Sequence, residues 1–230
     1  MGQRLSKKRL QQYLKMFGLA LHTSTPELGL AISDFETIQR HQTWDLGRDL
    51  SSQLHALLQG FLAPQSWEDL RFIVICIGPG GFTGTRIGVT TARTLAQQLD
   101  IPLFGVSALA AIAHHQLTVS SHNSEPGNGQ ATDIAVTMPA KRGAVYGAIY
   151  HWNGTTLLAK LDDTVLPASD WQAKQLQWPQ SLLPVSVEPG IGLADTTLSL
   201  LQLGYDHWQA GQHPNWREII PFYGQHPVKV

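Results

Sequence analysis

The sequence predicts an α/β protein folded in two lobes. In residues 17–119, short apolar runs of strand composition alternate with longer stretches of helical period, in the order β-β-α-β-α-β-α. Residues 120–130, SSHNSEPGNGQ, are polar, carry Gly and Pro and show no apolar period, which marks a junction. Beyond them the chain is shorter in its elements and richer in strands, with helices of its own. At 230 residues, 43% apolar and 14% charged, the chain can bury a real core rather than remain disordered. The expected division is a basic N-terminal extension (1–16), a first lobe (17–119), the junction (120–130), a second lobe (131–213) and an irregular tail (214–230).

The elements follow in order. Residues 17–21 and 28–33 form a strand pair around His22-Thr23-Ser24-Thr25-Pro26-Glu27. Leu46, Leu50, Leu54, Leu57, Leu58 and Phe61 recur at helical spacing and predict a helix over 44–62, with Asp45 near its start and Pro64 stopping it. A strand over 72–77 leads through a glycine loop to a helix over 85–100. Pro102 precedes a strand over 103–106, and Ser107 is placed to cap a helix over 108–115. In the second half, 133–138 and 145–151 are strands around a turn at 139–143. Asn153-Gly154 signals a hairpin before 157–161. A short helix over 170–177, a strand over 181–187 and a helix over 193–203 ending at Gly204 complete the lobe.

The most informative stretch is GPGGFTGTRIG, residues 78–88. A buried strand ends in four glycines, Gly78, Gly80, Gly81 and Gly84, that open a helix. Glycine lets backbone N–H groups approach an anion closely, and a helix N-terminus adds unpaired donors and a positive dipole end. With Thr83 and Arg86 these residues describe a phosphate loop, working or vestigial. The competing reading is a tight strand-to-helix turn whose glycines serve packing. It is not a Walker A loop, because Thr85 and Arg86 stand where Lys and Ser or Thr are required. Nor is it a dinucleotide fingerprint, because three residues separate Gly80 from Gly84.

Other chemistries find less. A net charge of −1 offers no global handle on nucleic acid. One cysteine, Cys76, excludes an internal disulfide and fits a cytoplasmic setting. No apolar run reaches membrane-span length, so no membrane partner is expected. Residues 1–15 lack the apolar middle of a secretory signal, and Arg4, Lys7, Lys8 and Arg9 form a solvated basic face. Of ten histidines, His114 and His115 are adjacent and point about 100° apart on a helix, and the other eight are scattered; with no H-x-x-x-H and no H-E-x-x-H, no metal site is expected. No G-x-S-x-G occurs. Trp152, Trp171, Trp178, Trp208 and Trp216 do not interleave with a basic run, which favours packing over base stacking.

GPGGFTGTRIG resembles the signature of the TsaB (YeaZ) family, the smaller relatives of the tRNA threonylcarbamoyladenosine synthase subunit TsaD. The resemblance extends through 91–98, Ile101-Pro102-Leu103 and Gly105-Val106-Ser107-Ala108-Leu109. It includes Leu19-Ala20-Leu21-His22-Thr23-Ser24-Thr25, Ala140-Lys141-Arg142-Gly143-Ala144-Val145-Tyr146 and, more weakly, Pro221-Phe222-Tyr223. It implies an actin-like, Hsp70-like two-lobed α/β fold and a cytoplasmic bacterial role in tRNA modification. The implied function is a non-catalytic partner of a TsaD-like catalytic subunit in forming N6-threonylcarbamoyladenosine at position 37. A TsaE-like ATPase joins the assembly, tRNA is met only through the complex, and a homodimer is the alternative pairing. No catalytic residue and no obligatory cofactor is implied, with ATP or ADP held weakly if at all.

The resemblance also carries departures. Where the family has Asp at the first strand turn, this chain has His22. Acidic positions near the later turn appear as Pro139 and Ala144. Magnesium takes hard oxygen ligands, and neither Pro nor Ala supplies one from its side chain. The alternative, an active ATPase or phosphotransferase, must find carboxylates elsewhere, among Asp34, Asp133 and Asp195. A peptidase is the weakest reading. For the partner surface, the resemblance points to the first two helices. Gly88, Ala92 and Ala96 make a small-residue ridge at i, i+4 and i+8 with Val89 beside it, and Leu50, Leu54 and Leu58 lie on the preceding helix. The same ridge also suits packing on the chain's own sheet.

Overall fold

A computed structural model describes residues 16–122, 131–190 and 192–224. The extension over 1–15, residues 123–130 of the junction and the tail beyond 224 lie outside the described residues. The first lobe begins with an antiparallel meander, β1 (Phe17–His22), β2 (Glu27–Ser33) and β3 (Gln39–Asp45). Helix α1 (Leu50–Leu62) leads to β4 (Leu70–Cys76), parallel to β1. Helix α2 (Phe82–Leu99) leads to β5 (Leu103–Val106), parallel to β4. The strand order is β3-β2-β1-β4-β5.

The alternation of side chains along each strand splits this sheet between two cores. Leu19, Leu21, Ile73 and Ile75 face α1 and α2, while Ala20, Phe72, Val74 and Cys76 face the opposite side. That opposite side is covered by α3 (Ala108–His122) and by α5 (Thr197–Gln209), which returns from the far end of the chain. Each fully buried leucine in these layers contributes roughly 1.5–3 kcal/mol.

The second sheet contains β6 (Thr132–Pro139), β7 (Ala144–Trp152), β8 (Leu157–Pro167) and β9 (Leu182–Ser186), in the order β8-β7-β6-β9. Its outer face holds Trp171 of α4 (Ala168–Leu176), whose indole nitrogen donates to Thr137 Oγ1 at 2.7 Å. Its inner face meets α3. Ala108 and Ala111 of α3 belong to the first lobe's core, whereas Leu109, Ile112, Ala113 and Leu117 belong to the second's. A helix apolar on both sides is thereby buried between two sheets.

Several boundaries differ from those expected. Residues 39–45 form a strand, so the first helix starts at Leu50 rather than at 44, and Trp44 packs edge-on against Phe61 from β3. β3 is a polar edge strand, QRHQTWD, and such edges lack the apolar alternation that reveals inner strands. Helix α2 starts at Phe82, which takes Thr83 and Gly84 out of the loop and into its first turn. Helix α3 runs on to His122, absorbing the first residues of the polar junction. Gly204 does not end its helix. It lies inside α5, where a Cβ would strike the Val74 side chain, so its smallness sets how closely α5 approaches β4.

Candidate functional site

The glycine loop sits where β4 ends, directly against the turn joining β1 to β2. Gly78 adopts φ +95°, a left-handed conformation that favours glycine, and its carbonyl accepts from Ala108 N at 2.8 Å. Beyond it the chain closes on the turn. A Cβ at Gly80 would collide with the Ser24 carbonyl, one at Gly84 with the Thr23 carbonyl and one at Gly88 with Thr23 Oγ1. Gly81 N donates to Ser24 O at 2.6 Å, and Thr85 Oγ1 lies 2.9 Å from both Ser24 Oγ and the Gly81 carbonyl. Ser24 Oγ in turn donates to Cys76 Sγ at 3.4 Å. Burial pushes that thiol up to about 11, leaving it an inert core group.

The glycines at 80, 84 and 88 are therefore used to bring backbone against backbone, and one loop amide is already engaged by protein. Thr83 and Arg86 are exposed on α2, with the Arg86 guanidinium 5.2 Å from the centre of the Phe82 ring. Beside the loop opens a cleft of about 780 Å³. It is lined by Gly80, Gly81, Phe82 and Thr85 of the first lobe, by Lys141, Arg142 and Tyr146 of the second, and by residues 221–223. The tail reaches this place because Trp216 and Ile219 pack on the first core and Phe222 N donates to the Ile77 carbonyl at 2.7 Å. Phe82 and Tyr223 meet there with ring centres 5.3 Å apart.

No carboxylate lines the cleft among the described residues. Pro139 and Ala144 flank the Lys141–Arg142 turn and offer cations between them instead of acids. His22 lies at the end of β1, fully buried, and neither ring nitrogen finds a hydrogen-bond partner among the described residues. Burial lowers its pKa to about 4, so the ring is neutral at neutral pH and brings neither the negative charge nor the hard oxygen of the carboxylate it replaces. The alternative carboxylates are occupied elsewhere. Asp34 Oδ1 accepts from the backbone N–H groups of Glu36, Thr37 and Ile38, at the opposite end of β2 from the glycine loop. Asp133 pairs with His151 Nδ1 at 2.6 Å and Trp178 Nε1 at 2.8 Å, at the far end of β6. Asp195 is exposed outside the cleft. No group of three or more potential metal ligands assembles among the described residues.

The expected partner surface needs correction. Val89, Ala92, Ala96, Leu50, Leu54 and Leu58 are all at most 4% exposed and belong to the first core, and Gly88 presses on Thr23. Those seven positions are filled by the chain's own sheet. The outward side of α1 instead presents Ser52, Ala56 and Gly60, all exposed, with open space at the Gly60 Cβ position.

Sequence reasoning passed over a polar link between the lobes. Ser107 accepts from Leu109 N at 3.0 Å, capping α3 as expected, and donates to Asp163 Oδ2 at 2.5 Å. Tyr150 donates to Asp163 Oδ1 at 2.8 Å. Burial raises the Asp163 pKa, against the lowering effect of both hydrogen bonds. The serine was legible as a cap, but nothing near Asp163 in sequence pointed to its partner 56 residues away.

Residues 48–191 match the family described as TsaD, tRNA N6-adenosine threonylcarbamoyltransferase. The tRNA threonylcarbamoyladenosine biosynthesis protein TsaB of Bacillus subtilis is 35% identical over 160 residues, covering 66% of this chain and 63% of that protein. The protein of the same name from Escherichia coli is 27% identical over 192 residues, covering 77% of this chain and 78% of the other. YeaZ from Pseudomonas aeruginosa superposes with a TM-score of 0.67 at 23% identity, over 90% of this chain and 99% of that one, which shows a shared fold. No helix among the described residues is long and apolar enough to cross a membrane. From its glycine signature, its two-lobed fold and these matches, the chain belongs to the TsaB/YeaZ family.

Proposed function

We propose that this protein is a non-catalytic supporting subunit in the synthesis of tRNA N6-threonylcarbamoyladenosine, docked on a larger TsaD-like catalytic subunit. The pathway follows from the names of its relatives. The observation that carries the supporting role is the cleft wall. It presents Lys141 and Arg142 and no carboxylate, while the glycine loop is closed on the Thr23–Ser24 backbone. Metal-assisted phosphoryl chemistry relies on carboxylate ligands at that place, and no carboxylate lines it among the described residues.

Docking uses the outward side of α1, where Ser52, Ala56 and Gly60 recur every four residues and let a partner helix approach closely. The contact holds the catalytic subunit in its productive conformation. A TsaE-like ATPase completes the cytoplasmic assembly, and without its partner the chain pairs with a second copy through the same face. ATP or ADP, where it binds, is held weakly through the loop and its cations rather than turned over.

Co-purification of the tagged chain from its native extract tests this reading. We expect a TsaD-like subunit to be recovered, and recovery to fall at least about tenfold in Ala56→Arg, whose exposed site leaves folding intact. Magnesium-dependent ATP hydrolysis by the isolated chain, or its recovery alone as a monomer, would overturn it.

A further inference from the structure

The exposed side of α2 carries a second surface. Phe82, Arg86 and Arg93 fall on one stripe of the helix, since offsets of four and eleven residues return to within about 40° of the starting direction. The tail runs antiparallel beside this stripe, with Trp216 at the level of Arg93 and Tyr223 at the level of Phe82. Arginines and aromatic rings alternate across the two segments. Arg86 stacks on Phe82 at 5.2 Å, while Arg93 and Arg217 stack on Trp216 at 5.6 and 5.0 Å. At the Phe82 end the stripe joins the cleft and its two further cations, Lys141 and Arg142.

These three segments bear five cations against one carboxylate, Glu218, in a chain whose net charge is −1. Large apolar surface accompanies the charge, with Phe82 51% and Tyr223 41% exposed. From Phe82 to Arg93 the stripe is about 16 Å long at the α-helical rise.

We propose that this stripe binds RNA directly, its cations meeting phosphates and its exposed rings stacking on unpaired bases. The proposal rests on the tRNA-modification reading above and extends it, because it gives this subunit its own contact with the nucleic acid. An acidic protein segment would satisfy the charges alone and leave two adjoining exposed rings without a use. RNA satisfies both, since every base offers a π-face and arginine matches phosphate. The length suits about four or five stacked nucleotides at roughly 3.4 Å each. The cleft of about 780 Å³ at one end has room to seat an unstacked base.

The test is fluorescence anisotropy of the full chain with a labelled single-stranded 12-mer oligoadenylate, titrated at several salt concentrations. Saturable binding should weaken about twenty-fold or more between 50 and 200 mM salt, as about three phosphate contacts require. Arg86→Gln and Arg217→Gln should each reduce the log–log salt slope by about 0.7. Phe82→Ala should weaken binding about tenfold with the slope unchanged, and Phe82→Leu should reproduce this if the alanine variant is unstable. Absence of saturable binding at 50 mM salt, or an affinity unchanged in all these variants, overturns the proposal. So does loss of partner capture in the arginine variants with RNA binding intact, which would assign the surface to an acidic protein. Partner capture is judged separately with Ala56→Arg, so either reading can fail while the other stands.

Discussion

The inner side of α2 is made of Gly84, Gly88, Val89, Ala92 and Ala96, and its outer side of Phe82, Arg86 and Arg93. The inner side is spent entirely on the protein itself. Its glycines admit the Thr23 backbone and hydroxyl, and its alanines complete the first core. The outer side keeps large rings and cations in contact with one another and with solvent. On this helix the small residues mark where the fold closes on itself, and the large and charged residues between them are left at the surface. A ridge of small residues signals close approach without saying whose backbone approaches.

Ala92→Glu tests which way the ridge faces. Ala92 is fully buried among Leu and Val side chains, so the substitution places an unpaired carboxylate in an apolar core. We expect a loss of at least about 3–5 kcal/mol, read by urea denaturation followed by circular dichroism, or a chain that does not fold. A variant of native stability that lost only its partner would show that the ridge faces outward.

A second test addresses the turn on which the inner side closes. His22 precedes Thr23 and Ser24, and burial lowers its pKa from 6.5 to about 4. His114, edge-on to Trp152, is lowered to about 4 as well, again chiefly by burial. Between these values the unfolded chain binds protons that the native chain refuses, so stability falls as pH falls. It should be complete above pH 6.5 and decline toward pH 4, with each histidine contributing about 3 kcal/mol across that window. His22→Leu should remove its share of the slope, measured as urea midpoints between pH 7 and 4. An unchanged slope would mean that the ring is hydrated and the turn is looser than its packing indicates.

The sequence made the inner layers legible because burial leaves a periodic signature. β1, β2, β4 and β5 are apolar runs, and the stripe Leu50, Leu54 and Leu58 follows the helical period. What it concealed was polar or distant. β3 is a polar edge strand whose partner register, not its composition, makes it a strand. Residues 214–224 look like an irregular tail from their Pro and Gly content, yet Phe222 hydrogen-bonds past the end of β4 and Trp216 lies on the first core. The site suffered most from this. Trp216 stands far from Arg93 in the chain and touches it in the fold, so basic and aromatic residues that do not interleave in sequence do so in space. Ser24, which fixes the glycine loop, gave no sign in sequence of its bonds to Gly81, Thr85 and Cys76.

The smallest expected effect belongs to the outer side. Arg86 is exposed and its one described contact is the stack on Phe82, which at a solvent-facing site contributes about 0.5–1 kcal/mol. Arg86→Gln should therefore shift the urea midpoint no further than that, in contrast to Ala92→Glu six residues along the same helix. Arg86, at the start of α2, can either meet an anion or pin the loop from within. A loss of several kcal/mol would assign it the second role and make the outer side structural too. A loss within the stacking range leaves the guanidinium available, because the loop is already fixed by the Gly81–Ser24 bond and the Thr85 hydroxyl.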